Sequence, residues 1–231
     1  MTTVLTAGRH LVASTGALLA AAFETEPVSR WLVPDEPRRR RIMTRFFTLL
    51  AADAFTTGTV DLVTDAHGAP EAVALWSDRT EPGADEPDPA LAESLGVWAG
   101  RRRAMAAVME RHHPITPHHY LMLVGVRPDR QRRGLGGEIL RARHRDLDRT
   151  GTAAYLEATS AAGRTLYARL GYRQLGPPLP LPSGPPVWPM WRVPAGADDV
   201  ALPAEASPSA PVEPTVAPPT PGLPAVAPEA T

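Results

Sequence analysis

Between Arg127 and Leu140 the chain reads RPDRQRRGLGGEIL, a proline, four arginines and three glycines set between two apolar segments. These residue types suit an anion held close to the backbone. The preceding strand ends at Pro128 and a helix begins around Gly134. The first amides of a helix have no intrahelical partner and point outward with the positive end of its dipole. Glycines at 134, 136 and 137 leave those amides uncovered by a Cβ, and Arg132 and Arg133 add charge. The stretch is a seat for a phosphate or pyrophosphate.

Three kinds of site use such a seat. A Walker loop ends in Gly-Lys-Ser/Thr, and this chain has no lysine, all 24 of its basic residues being arginine. A dinucleotide fingerprint needs G-x-G-x-x-G in the tight turn after a strand. Ile139 stands where the third glycine belongs, and the glycines lie six residues beyond Pro128. The third kind is an acyl-CoA site.

Other clusters carry less. His112, His113, His118 and His119 flank PITP, but two prolines break helical spacing and no cysteine or carboxylate pair completes a ligand set, so no metal is expected. The chain has no cysteine, which excludes disulfides, thiolate zinc sites and a cysteine nucleophile. The runs Arg38–Arg41 and Arg101–Arg103 read as solvated helix faces, with no nucleic-acid partner implied. The formal charge is −1; before the acidic C-terminal segment 24 basic residues face 20 acidic ones, a mild excess that suits a phosphate-bearing ligand.

The elements that must position this seat read as mixed α/β. Helices are expected over about 10–23, 37–55, 90–111, 134–149 and 161–171 from their apolar spacing. The stretches TVDLVTD and APEAVALWS form a hairpin around His67 and Gly68, and HYLMLVGV is a central strand. AAYLEA, YRQL and VWPMWRV are later strands. PVSRWLVPDEP and GPPLPLPSGPP are loops. From about residue 195 the chain is rich in Pro and Ala with no aromatic residue, and is expected to be disordered. The apolar run LVASTGALLAAAF is too short to cross a bilayer, so a cytoplasmic protein without a membrane partner is expected. The sequence leaves the oligomeric state open.

VRPDRQRRGLG, Val126 to Gly136, resembles the V-x-P-x-x-Q/R-x-x-G-x-G/A pattern of the GNAT superfamily of N-acetyltransferases. YLEATSAAGRTLYARLGYRQLG is similar to that superfamily's late strand–helix–strand with L-Y-x-x-x-G-F/Y. The AF…P…RW…P segment near residues 22–34, VALW at 73–76, HHPITPHHYLMLVGV and SGPPVWPMWR resemble the puromycin N-acetyltransferases in particular. The likeness spans roughly residues 10–193.

The resemblance implies a mixed α/β GNAT domain over residues 1–194, a mostly antiparallel twisted sheet flanked by helices, followed by the tail 195–231. It implies acetyl-CoA as cosubstrate and a small-molecule primary amine, in the narrower case an aminonucleoside antibiotic, as acceptor. Main-chain groups of Val124 and Val126 are then expected to bond the pantetheine arm. Gln131, Arg132, Arg133, Gly134, Leu135, Gly136 and Gly137 are expected around the pyrophosphate. Tyr167 matches the tyrosine that often protonates the leaving thiolate. Glu157 ends a strand beside Tyr155 and Leu156, where partial burial raises a carboxyl toward the range of a general base. Trp31, Tyr120 and Trp188 are expected to line the acceptor cleft. One departure stands out: relatives usually carry asparagine four residues before the tyrosine, where this chain has Gly163. A GNAT-fold acyl-CoA sensor without turnover, and acetylation of a protein N-terminus, are the competing readings.

Overall fold

The computed structural model describes residues 4–6, 8–81, 89–197 and 203. In chain order the elements are β1 (Val4–Thr6), α1 (Val12–Phe23), α2 (Pro27–Leu32), α3 (Glu36–Thr57), β2 (Thr59–Thr64), β3 (Pro70–Arg79), α4 (Pro89–Glu93) and α5 (Ala99–His112). There follow β4 (His118–Val126), α6 (Leu135–Thr150), β5 (Ala154–Ala158), α7 (Ala161–Arg169), β6 (Arg173–Gln174), β7 (Leu179–Pro180) and β8 (Pro186–Arg192). The sheet order is β1-β2-β3-β4-β5-β8-β6, with β7 added on β8. Every pairing is antiparallel except β4 with β5.

Strand alternation assigns the two faces. Val73 and Leu75 of β3 join the core built with α1, α2, α3 and α5, whereas Ala72, Ala74 and Trp76 join the core under α6 and α7. Covered on both sides, β3 reads as a continuous apolar run, its Ala72–Trp76 fully buried. The small residues of α1 have a reason: Gly16 lies against the backbone of Thr48 in α3, and any side chain there would collide with it. In α3, Asp35 accepts the Arg38 amide at 3.1 Å as an N-cap, with a proline in the first turn.

Several expectations are corrected. The segment expected as a loop at PVSRWL is the helix α2, which Pro27 can start because a first-turn N–H is not needed. The single helix expected over 90–111 is α4, a 3-10 turn at Gly96–Trp98 and then α5, broken where Gly96 takes φ 58. YRQL contributes only the two residues of β6, the proline-rich loop holds β7, and β1 was not anticipated. Residues 195–197, expected in the disordered segment, turn back on the domain: the Ala195 amide donates to Asp148 Oδ1 at 2.8 Å, and Pro203 is buried. The remainder of that segment, 198–202 and 204–231, lies outside the described residues. No helix among the described residues is long and apolar enough to cross a membrane.

Candidate functional site

The parallel pairing of β4 with β5 extends over only His119↔Ala154 and Tyr120↔Tyr155. Beyond Tyr120 the strands part, and β5 continues with β8 instead. The cause lies on the other edge of β4. Its register with β3 slips between Leu75↔Leu123 and Trp76↔Leu121, leaving Met122 as an extra, bulged residue. A bulge bends its strand and increases the local twist, and this one turns β4 away from β5. The sheet therefore opens into a V at its centre.

Strand hydrogen bonds alternate in direction along β4. The Arg127 amide donates to Glu71 on the β3 side at 2.8 Å, so Val126 and Val124 direct their main-chain groups into the V. These are the two residues expected there. One group is already engaged: the Val126 carbonyl accepts from Gln131 Nε2 at 3.2 Å. Gln131, expected beside the pyrophosphate, ties its loop back to β4 through this bond, leaving the Val126 N–H on the open side.

At the mouth of the V the glycine stretch adopts the expected form. Gly134, the N-cap of α6, has φ 87 and no side chain caps the helix. Arg132 is also left-handed, at φ 61, a costly conformation outside glycine that recurs at ligand-binding loops. The four arginines divide by task. Arg127 pairs with Asp129 at 2.7 Å and Arg130 with Glu71 at 2.8 Å, stiffening the turn. Arg132 and Arg133 are exposed and make no ion pair among the described residues. Leu135, Gly136 and Gly137 form the first turn of α6. The backbone there fits a pyrophosphate: uncapped amides, a left-handed glycine and two uncommitted guanidinium groups.

On one wall of the V, Glu157, next to last in β5, lies on the same face as Tyr155. The Tyr120 hydroxyl donates to Glu157 Oε2 at 2.8 Å. Burial pushes the Glu157 carboxyl up to about 7, against the opposing influence of the Tyr120 and Tyr155 hydroxyls and of Arg79. Glu157 Oε1 and the Tyr155 hydroxyl are buried without completing a hydrogen bond, so Tyr155 acts on the carboxyl as a nearby dipole. Behind this pair lies an aromatic block. His113 and His118 meet through Nε2 at 3.1 Å, and His113 packs edge-on against Tyr120 and Tyr155. Burial holds His113 down to about 3, so the block is neutral and fixes the Tyr120 ring. Among the described residues no group of three His, Cys, Asp or Glu could hold a metal.

On the other wall stands Tyr167, in α7, packed with Val124, Val126 and Trp188 against the core under α6. Burial and, second, the charge of Glu26 push its hydroxyl well above the ordinary value of 10.0. Ser160 caps α7 by accepting the Gly163 amide at 3.3 Å. A side chain at Gly163 would begin 3.4 Å from the Tyr167 ring, which shows how an asparagine there would bear on the tyrosine. Next to it, Arg164 lies over the Trp188 ring at 5.0 Å, occupying a face expected to be free for an acceptor.

Trp31, expected in the acceptor cleft, is largely enclosed. Only 9% exposed, it donates from its indole N–H to Pro182 O at 3.2 Å, while Arg101 sits 5.8 Å above its ring and bonds its carbonyl. It pins the proline-rich loop and α5 to α2. The spacing of ETEPVSRW gives no sign that the charge of Glu26, in the turn between α1 and α2, acts on the Tyr167 hydroxyl.

The sheet is split at its centre, with an uncapped glycine-started helix at the mouth and an elevated carboxyl on one wall. The family model described as FR47-like protein matches residues 94–177. A Corynebacterium glutamicum structure described as histone acetyltransferase HPA2 and related acetyltransferase is 30% identical, over 84% of this chain and 98% of that one, with a TM-score of 0.63. Arylalkylamine N-acetyltransferase 2 of Aedes aegypti shares the fold at TM-score 0.54 and 11% identity, over 83% of this chain and 98% of its own. The ribosomal-protein-S18-alanine N-acetyltransferase of Escherichia coli does so at 0.52 and 17%, over 87% and 100%. The chain belongs to the GNAT family of acetyltransferases.

Proposed function

We propose that the protein transfers an acetyl group from acetyl-CoA to a primary amine of a small molecule by direct attack. The observation that carries this reading is the V between β4 and β5, with Glu157 on one wall, Tyr167 on the other and the glycine turn at its mouth. Arg132, Arg133 and the amides from Gly134 to Gly137 bind the pyrophosphate, and the open edge of β4 at Val124 and Val126 takes the pantetheine arm. Acetyl-CoA supplies an activated acyl carbon. Glu157, near pKa 7, accepts a proton from the acceptor ammonium, directly or through one water. The freed amine attacks the thioester carbonyl, whose developing charge the Val126 N–H stabilises. The carbon–sulfur bond then breaks as Tyr167, protonated throughout the working pH range, donates to the departing sulfur, and the second N–H proton shed by the new amide nitrogen passes through water to restore the tyrosine. Tyr120 holds Glu157 in place and lines the acceptor side; Trp31 supports that side from behind.

The narrower acceptor, an aminonucleoside, rests on the sequence resemblance. The test is titration of the purified protein with acetyl-CoA, then thiol release over a panel of amines that includes puromycin. Amine-dependent release, reduced about 10²-fold in Tyr167→Phe with acetyl-CoA affinity retained, is the expected result. Failure to bind acetyl-CoA would sink the proposal. Binding without release from any amine would favour a sensor.

A further inference from the structure

The turn from α5 into β4 folds two histidines into the wall behind Glu157. His118, 1% exposed, is fixed by the backbone: its Nδ1 lies 2.7 Å from Thr116 O. A carbonyl only accepts, so Nδ1 carries the proton and Nε2 of the neutral ring carries a lone pair. His113 Nε2, 3.1 Å away, must then be the donor. One carbonyl thereby sets the tautomers of both rings. Burial, above all, holds His118 below its ordinary value and His113 at about 3, so both stay neutral.

The pair is wedged against the residues that surround the carboxyl. His113 lies edge-on to Tyr120 at 4.9 Å and to Tyr155 at 5.0 Å between ring centroids. His118 lies edge-on to Tyr155 at 5.5 Å and to Trp191 at 5.3 Å, and those two rings are fully buried. Tyr120 in turn donates to Glu157 Oε2 at 2.8 Å. The charged and titratable groups acting on this block are few. Arg79 of β3 acts on Glu157, Tyr120 and both histidines, Arg102 of α5 on Tyr120, and Asp78 and His119 on His118. A layer of neutral, close-packed rings excludes water and offers no charge in its place, which is the condition under which a carboxyl keeps its proton. A charged imidazole in the same position would hold the carboxylate ionised instead.

We propose that His113 is a positioning residue: locked to His118 and wedged between Tyr120 and Tyr155, it keeps the Tyr120 hydroxyl on Glu157 and water away from the rear of the carboxyl. The inference deepens the acetyltransferase reading, on which it rests for the use of Glu157 as base. His113 acts through the two tyrosines and not on a substrate, and Glu157 Oε1, buried without a hydrogen-bond partner, is left for the acceptor nitrogen.

The experiment is a carboxyl-carbon NMR titration of the full chain, with the Glu157 signal identified by its loss in Glu157→Gln. Wild type is expected to titrate near 7. His113→Gln keeps a donor for His118 but not the flat ring, and His113→Ala keeps neither. In both, water reaches the carboxyl and the midpoint should fall by about one pH unit or more. His113→Phe keeps the ring, and its midpoint should stay within about half a pH unit of wild type. If His113→Ala fails to fold, the Gln and Phe variants carry the comparison. A merely structural histidine would lower the melting temperature and leave the midpoint in place. That result overturns the inference, as does an equal fall in the Phe and Gln variants or a wild-type midpoint near the ordinary carboxyl value. Acetyl-CoA binding and thiol release over the amine panel, measured on the same wild-type protein, judge the transferase reading separately. Their failure would take the role of base from Glu157, while the titration still decides what His113 does to it.

Discussion

In the proposed reaction Glu157 is the base, and burial raises rather than lowers its pKa. A carboxyl whose folded value exceeds its unfolded one binds more protons in the native state between the two values. The contribution of Glu157 to native stability is therefore fully present below 4.5 and is lost as pH rises through about 7. Two expectations follow from the same group. The rate, kcat/KM, should rise through a pH near 7, and Glu157→Gln should remove that limb and lower kcat about 10²-fold. The same variant should melt higher than wild type above pH 8, by on the order of 2 kcal/mol in stability, and no higher at pH 4. Thermal melts at the two pH values together with a pH–rate profile check both. Glu157 was legible in the sequence because a strand ending next to Tyr155 and Leu156 puts its side chain in partly buried surroundings. Its hydroxyl partner was not, since Tyr120 lies 37 positions earlier and meets it only through the short β4–β5 pairing.

At the scale of elements, two features of β4 and α6 decide where a ligand can lie. The bulge at Met122 opens the sheet, and the glycine turn aims the first amides of α6 at the opening. Gly134→Val should cost about 1–2 kcal/mol from its left-handed backbone alone and weaken acetyl-CoA binding beyond that. Arg132→Ala with Arg133→Ala should weaken acetyl-CoA binding about tenfold, and the loss should shrink as salt is added, because exposed charges are screened. Calorimetric titration at two ionic strengths reads that difference. The turn was plain in the sequence, as local chemistry of glycine and arginine. The bulge was not: HYLMLVGV reads as an uninterrupted strand, and only its register against Leu75 and Trp76 reveals the extra residue. For the same reason Gln131 was assigned to the ligand; its bond to the Val126 carbonyl is set by how the turn folds back.

The whole molecule is two layers of helices on one sheet, and its stability is distributed between them. The Asp61–Arg143 pair joins β2 to α6 across this assembly: Asp61 is 3% exposed and accepts Arg143 Nε at 3.0 Å. Arg143→Met should cost roughly 3–5 kcal/mol by leaving a buried carboxylate unpaired. A denaturation midpoint measures it directly. A chain ending after residue 206, which keeps the Asp148–Ala195 contact and the buried Pro203, should retain both its melting temperature and its acetyl-CoA affinity. By itself the sequence determined the class of fold, and it offered a glycine-started helix beside free arginines and two candidates, Glu157 from its strand and Tyr167 from its motif. These depend on local signals: apolar periodicity, glycine and arginine at a helix start, a tyrosine at fixed distance from a glycine. The tertiary structure alone decided that β4 parts from β5, that Trp31 is pinned to Pro182, and that Tyr120 meets Glu157. Each of those outcomes is a relation between distant residues, and burial, register and charge proximity do not exist until the chain has packed.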